Sequence, residues 1–72
     1  MPHRRRQVYE AVQELINATS FELAGYLKLS IHIIMPRLTE LKKADLIEVV
    51  GVQHLDNRAY YVYQAKRGLT NA

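Results

Sequence analysis

Residues 30–41 read SIHIIMPRLTEL, and the fold turns on how this stretch is taken. Ile34, Leu38 and Leu41 recur at helical spacing, and Leu, Glu and Arg are good helix formers. Pro36 nevertheless stands in the middle, behind a cluster of β-branched residues. Inside a helix it has no amide for the carbonyl of His32, and its ring crowds that carbonyl, at a cost of ~3 kcal/mol. A helix beginning near His32 or Ile33 would place Pro36 in the first turn, where amides have no intrahelical partner. A helix capped by Ser30 would instead be kinked. The late start is the expectation. It makes residues 30–32 part of a turn and presents Pro36 and Arg37 near the leading end.

Upstream, Val8, Val12, Leu15 and Ile16 recur every three or four residues between 4 and 16, with Ala11 on the same side, which predicts an amphipathic helix. Asn17 is placed to end it in the left-handed conformation. Thr19-Ser20-Phe21-Glu22 reads as a capping box, in which the Thr19 hydroxyl accepts from the Glu22 amide and the Glu22 carboxylate from the Thr19 amide. A short second helix follows from Ser20 to about Leu27, with Leu23, Ala24 and Leu27 inward, and residues 28–30 are a tight link. The third helix is expected to end near Ala44 and Asp45. Beyond it the period falls to two: LIEVVGVQ and AYYVY are strand-like, and Asp56-Asn57 marks a hairpin loop of roughly five residues, 54–58. Residues 65–72 are polar without a period and are expected to fray. The chain reads as one domain over 1–72, ordered from about 4 to 64.

Seventy-two residues support one small core, and 49% hydrophobic with 24% charged residues is the composition of a globular chain. The absence of cysteine excludes disulfides and thiolate metal sites, and agrees with a reducing compartment. No run approaches the ~20 apolar residues that span a bilayer, and MPHRRR lacks the apolar stretch of a signal peptide. A cytoplasmic location is expected. The net charge of +3 permits a polyanionic partner without requiring one. Its placement says more, since the basic residues cluster at Arg4-Arg5-Arg6, Lys42-Lys43 and Lys66-Arg67.

Three helices followed by a two-stranded β-hairpin, the second and third helices joined by a short turn, give an α+β chain of winged helix-turn-helix type. TSFELAGYLKLS and IMPRLTELKKADLIEVV carry a resemblance to winged-helix regulators of the MarR-like kind and their small phage and plasmid relatives. The pattern is Glu22-Leu23-Ala24, Leu27, Leu29-Ser30, Leu38-Thr39-Glu40-Leu41 and Leu46-Ile47, and some relatives share Pro36-Arg37-Leu38. In the wing, Asp56-Asn57-Arg58 matches an Asp-x-Arg element, and Gly68 falls near a family glycine. The likeness covers about residues 8–64. It departs at Asp45, where the family has glycine, and 72 residues leave no room for that family's terminal dimerisation helices.

The fold and the resemblance imply a sequence-specific double-stranded DNA-binding protein, a transcriptional regulator. On the reading helix the outward positions are His32, Ile33, Pro36, Arg37, Thr39, Glu40 and Lys43. Arg37 could pair bidentately with guanine, Ser30, His32 and Thr39 could reach phosphates or bases, and Lys42 and Lys43 could hold the backbone. Lys42 and Lys43 are equally a solvated last turn that complements the helix dipole. Arg58, steadied by Asp56, would enter a minor groove, or else form an exposed loop ion pair worth ~0–1 kcal/mol. Arg4, Arg5 and Arg6 oppose the dipole of their own helix, which either a phosphate or a frayed tail would explain.

A homodimer through the first helix or the hairpin is expected, because paired half-sites extend a single helix's specificity. Apolar Ile33 and Met35 fit thymine methyls, core, or a protein partner. With the tyrosines they define the alternative: a winged helix used as a protein-interaction module. His3, His32 and His54 have no metal-ligand spacing, no nucleophile has a marked base, and Gly25, Gly51 and Gly68 form no phosphate loop. Neither an enzyme, a metal nor a cofactor is expected.

Overall fold

The computed structural model describes residues 2–66. Three helices and a three-stranded antiparallel sheet enclose one core, so the chain is α+β. Helix α1, His3–Leu15, buries Val8, Ala11 and Val12 through the expected stripe. Its end differs from expectation. Ile16, not Asn17, takes positive φ, at φ 66 and ψ −64, and the Asn17 amide donates to the Leu15 carbonyl at 2.7 Å. This is a γ-turn about a β-branched residue, a strained conformation. It turns Ile16 out of the stripe and leaves it exposed.

Strand β1, Ala18–Thr19, is an element the two-stranded reading lacks. Both residues are fully buried and pair with the last strand, Ala18 opposite Tyr63 and Thr19 opposite Val62. Thr19 also begins helix α2, Ser20–Leu27. Its hydroxyl accepts from the Glu22 amide at 3.1 Å, and its own amide donates to Glu22 Oε1 at 2.9 Å, so the capping box is formed. Helix α2 ends on Lys28 at φ 57. The Leu29 amide donates to the Ala24 carbonyl and the Lys28 amide to the Gly25 carbonyl, the Schellman arrangement.

Helix α3 spans Ile31–Lys43, so the late start is overturned. The Ser30 hydroxyl accepts from the His32 amide at 3.1 Å, and the Ser30 carbonyl accepts from both Ile33 and Ile34. Pro36 is therefore the sixth helical residue, and the His32 carbonyl loses its intrahelical donor. His32 and Pro36 are both exposed, so water can serve that carbonyl. Nearby, the Thr39 hydroxyl donates back to the Met35 carbonyl at 3.2 Å, a second feature that bends helices. The helix closes on Asp45 at φ 66, where the Leu46 amide reaches the Leu41 carbonyl. Asp45 thus adopts the conformation a glycine would take there.

Strands β2, Ile47–Leu55, and β3, Arg58–Ala65, form the hairpin, and the sheet order is β1-β3-β2. The connection has two residues rather than five. Asp56 and Asn57 both take positive φ, the type I′ geometry that matches strand twist. A bulge between Val49 and Gly51 leaves Val50 as the extra residue. Ala65, expected in a fraying tail, is a buried end of β3 opposite Ile47, and Lys66 continues the ladder through its amide to the Leu46 carbonyl. Arg67 and Gly68 lie outside the described residues. The core is Val8, Ala11, Val12, Ala18, Leu23, Ile34, Leu38, Leu41, Ile47, Tyr63 and Ala65. Among the described residues no helix is long and apolar enough to cross a membrane.

Candidate nucleic-acid interface

Helix α3 divides by angle into a buried stripe and an open face. Ile34, Leu38 and Leu41 point into the core. At ~100° per residue the opposite side carries His32, Pro36, Thr39 and Lys43, all of them exposed. These four are the sequence-predicted residues that the structure brings together on one open surface. Ser30 is exposed at the leading end with its hydroxyl engaged as the cap.

On one flank α3 meets α1. Arg5 Nε donates to Glu40 Oε1 at 3.1 Å, and Arg37 Nη2 donates to Glu40 Oε2 at 2.8 Å. Arg37 thus lies towards α1, held by a carboxylate, rather than alone at the leading edge. The Arg37 hydrogen bond, followed by that of Arg5 and the two positive charges, holds the Glu40 carboxyl below the usual carboxylate range, against an opposing desolvation. Arg4 donates to Gln7 Oε1 at 3.0 Å, and Arg6 lies 3.8 Å from Glu10, one turn on and well exposed. Ile33 is exposed and forms no part of the core.

On the other flank α3 and the hairpin leave an open groove of about 350 Å³, lined by Met35, Leu38, Thr39, Lys42, Lys43, Tyr61 and Tyr63. Met35 is 42% exposed, so it fills no gap in the core. Lys42 Nζ sits 5.9 Å from the Tyr61 ring centroid, within cation–π range, and Tyr61 meets Tyr63 edge-on at 6.4 Å. Burial, then the neighbouring Tyr61, pushes the Tyr63 hydroxyl above its ordinary pKa. Lys42 therefore belongs to the groove wall, and Lys43 stands at the edge shared by the groove and the open face.

Arg58 is exposed at the first position of β3, one residue past the turn. No ion pair joins it to Asp56 among the described residues, so the expected clamp at the wing tip is not formed. It lines a hollow with Phe21, Leu55, Asp56 and Tyr60. Phe21 stacks at 6.0 Å on Tyr60, which ties the start of α2 to the wing. Among the described residues no cluster of His, Asp and Glu could hold a metal ion. The sequence reading missed the joint roles of Arg5 and Glu40, 35 residues apart, and the tyrosine groove. Only a helical wheel drawn with α1 already placed beside α3 would have found the first. No family model matches the chain, and neither the curated proteins nor the solved structures give a match.

Proposed function

We propose that the chain is a winged helix-turn-helix protein that binds double-stranded DNA sequence-specifically and acts as a cytoplasmic transcriptional regulator. Helix α3 would enter the major groove through His32, Pro36, Thr39 and Lys43, with Ser30 at its leading end. The β2–β3 hairpin would set Arg58 on the backbone or in the minor groove, and Arg4, Arg5 and Arg6 would approach phosphates from the α1 side. The observation that carries this reading is the open face of α3. It is exposed along its length, carries His32, Thr39 and Lys43 around Pro36, and is bordered by basic residues from α1 on one side and by Lys42 on the other. A homodimer would join two such faces on paired half-sites.

The test is fluorescence anisotropy on random duplex DNA over a salt series. Four to six phosphate contacts give a log–log slope of roughly −4 to −5. Lys43→Ala and Arg58→Ala should each make that slope shallower by about 1. Negligible binding at low salt would sink the reading. One observation favours a second reading, a protein-interaction module: Ile33, Met35 and Tyr61 are exposed, as are Phe21 and Tyr26 on α2. Partner binding that survives Lys43→Ala and Arg58→Ala but is lost in Met35→Ala or Tyr61→Ala would favour it.

A further inference from the structure

Two guanidinium groups from different helices close on one carboxylate at the border of the α3 open face. Arg5 and Arg37 each take a separate oxygen of Glu40, and all three side chains are about one-third exposed. The triad carries a net charge of +1 where the two arginines alone would carry +2. Its donors outnumber its acceptors, and Arg37 Nε is buried without a partner among the described residues. Carboxylate and phosphodiester present oxygens to arginine in the same geometry. Glu40 therefore engages both guanidiniums through oxygens, as a phosphate could. A clamp so open to water is weakly held, so a stronger or better-placed partner can exchange with it.

We propose that Glu40 is a specificity-determining residue: it masks Arg5 and Arg37 from the phosphates of non-cognate DNA. It gives them up where a base under α3 offers its carboxylate a donor, the amino group of cytosine being the fitting one. On non-cognate DNA the carboxylate stays on the arginines and also repels the backbone. On a matching site the carboxylate moves to the base edge, and two guanidiniums become available to phosphates at once. The inference rests on the DNA-binding reading above and adds to it which residue discriminates and how.

The test compares the wild type with Glu40→Gln, which keeps the size and removes the charge. Both are measured on random duplex DNA across a salt series, and their preferences are then read by selection from a random pool. Glu40→Gln should bind random DNA more tightly, with a slope steeper by about 1 to 2 as one or two further phosphates are neutralised. The selected site should lose its preference for cytosine at one position. Glu14→Gln removes an exposed α1 charge that has no ion pair among the described residues, and reports the effect of net charge alone. In an Arg37→Ala background the gain from Glu40→Gln should shrink, since only Arg5 is left to unmask.

If Glu40→Gln merely matches Glu14→Gln, or keeps its full gain without Arg37, the masking role is overturned while the DNA-binding reading stands. If neither wild type nor Glu40→Gln binds DNA at low salt, the DNA-binding reading itself fails and takes the inference with it. Circular dichroism of each variant checks that the fold is intact.

Discussion

Replacing Pro36 with alanine should stabilise the protein while weakening its grip on DNA. Pro36 is the sixth residue of α3, past the turn in which a missing amide has no consequence. Alanine restores the donor to the His32 carbonyl and removes the ring from its path. Proline in a helix interior is less favourable than alanine by ~3 kcal/mol. Here the figure must be discounted, because the orphaned carbonyl lies on the exposed side, within reach of water. A gain of about 1–2 kcal/mol remains. For 72 residues the unfolding entropy is ~0.15 kcal/mol/K, so Tm should rise by roughly 7–13 °C. Far-UV circular dichroism during heating and urea titration reads this directly. The urea midpoint should rise with the slope unchanged. An equal or lower midpoint would refute the reasoning, and would mean that Pro36 contributes more to the packing of α3 than it costs the helix. On DNA, Pro36 lies on the exposed face with His32, Thr39 and Lys43, so the more stable variant should be the weaker binder.

Thr19→Ala removes the hydroxyl that caps α2 and should lower unfolding free energy by about 1–2 kcal/mol, read from urea melts, whereas Thr19→Ser should recover most of the loss. Lys28→Gly relieves an L-residue at φ 57 without touching the core and should stabilise by about 0.5–1 kcal/mol in the same assay; a loss would show that the Lys28 stem packs usefully. Glu40 has its pKa lowered by Arg37 and Arg5, so its contribution is present above the ordinary carboxylate pKa of about 4.3 and is lost as pH falls through the depressed value. Urea midpoints of wild type and Glu40→Gln should therefore differ at pH 6 and converge as pH falls below the carboxylate range, and a gap that persists once Glu40 is protonated would exclude the ion triad as its source.

Where a feature is local, the sequence carried it. The Val8–Ala11–Val12 part of the α1 stripe, the Thr19–Glu22 capping box and the end of α3 near Asp45 each depend on residues close in sequence. The start of α3 misled because two local signals conflict. Ser30 is a good cap, Pro36 a poor sixth residue, and the cap wins because the penalty is softened on a watered face. Strand β1 was invisible because two residues have no period, and Thr19 already had a complete explanation as a cap. Asp56-Asn57 did announce the turn. The loop was read too long because the strand ends around it, from Gln53 to Ala59, are exposed on both faces and show no alternation. Of the site, the open face of α3 follows from helical period alone. The Arg5–Glu40–Arg37 triad and the Tyr61 groove need α1 and the hairpin brought against α3, which no spacing within one element encodes.

The two parts proposed to meet DNA share the core that Ile34, Leu38 and Leu41 form with Ile47 and Tyr63, and Thr19 adds a tie of its own between them. An eight-residue helix is too short to persist alone in water, and α2 buries only Ser20 and Leu23 fully while carrying Gly25 in its interior. Its N-terminus is fixed by the same residue that pairs with Val62 in β3, so the cap of the helix-turn-helix unit and the ladder of the wing share one backbone position. Phe21 on Tyr60 adds a second tie, also at the start of α2. At the other end of α2, Lys28 sets the turn into α3 by a conformation that glycine would hold at lower cost. The spacing between α3 and Arg58 is thus constrained twice: directly, through the Asp45 turn and the shared core, and indirectly, through the β3 ladder, Thr19, α2 and the Lys28 turn. Each link has few alternatives, because a shift of one residue in β1 would put the Thr19 side chain on the wrong face of the sheet and uncap α2 at the same time. That coupling explains how so small a core can hold α3 and the hairpin in fixed register, and why the strained Ile16 turn is tolerated: it delivers the chain from α1 into β1 in the register that serves both.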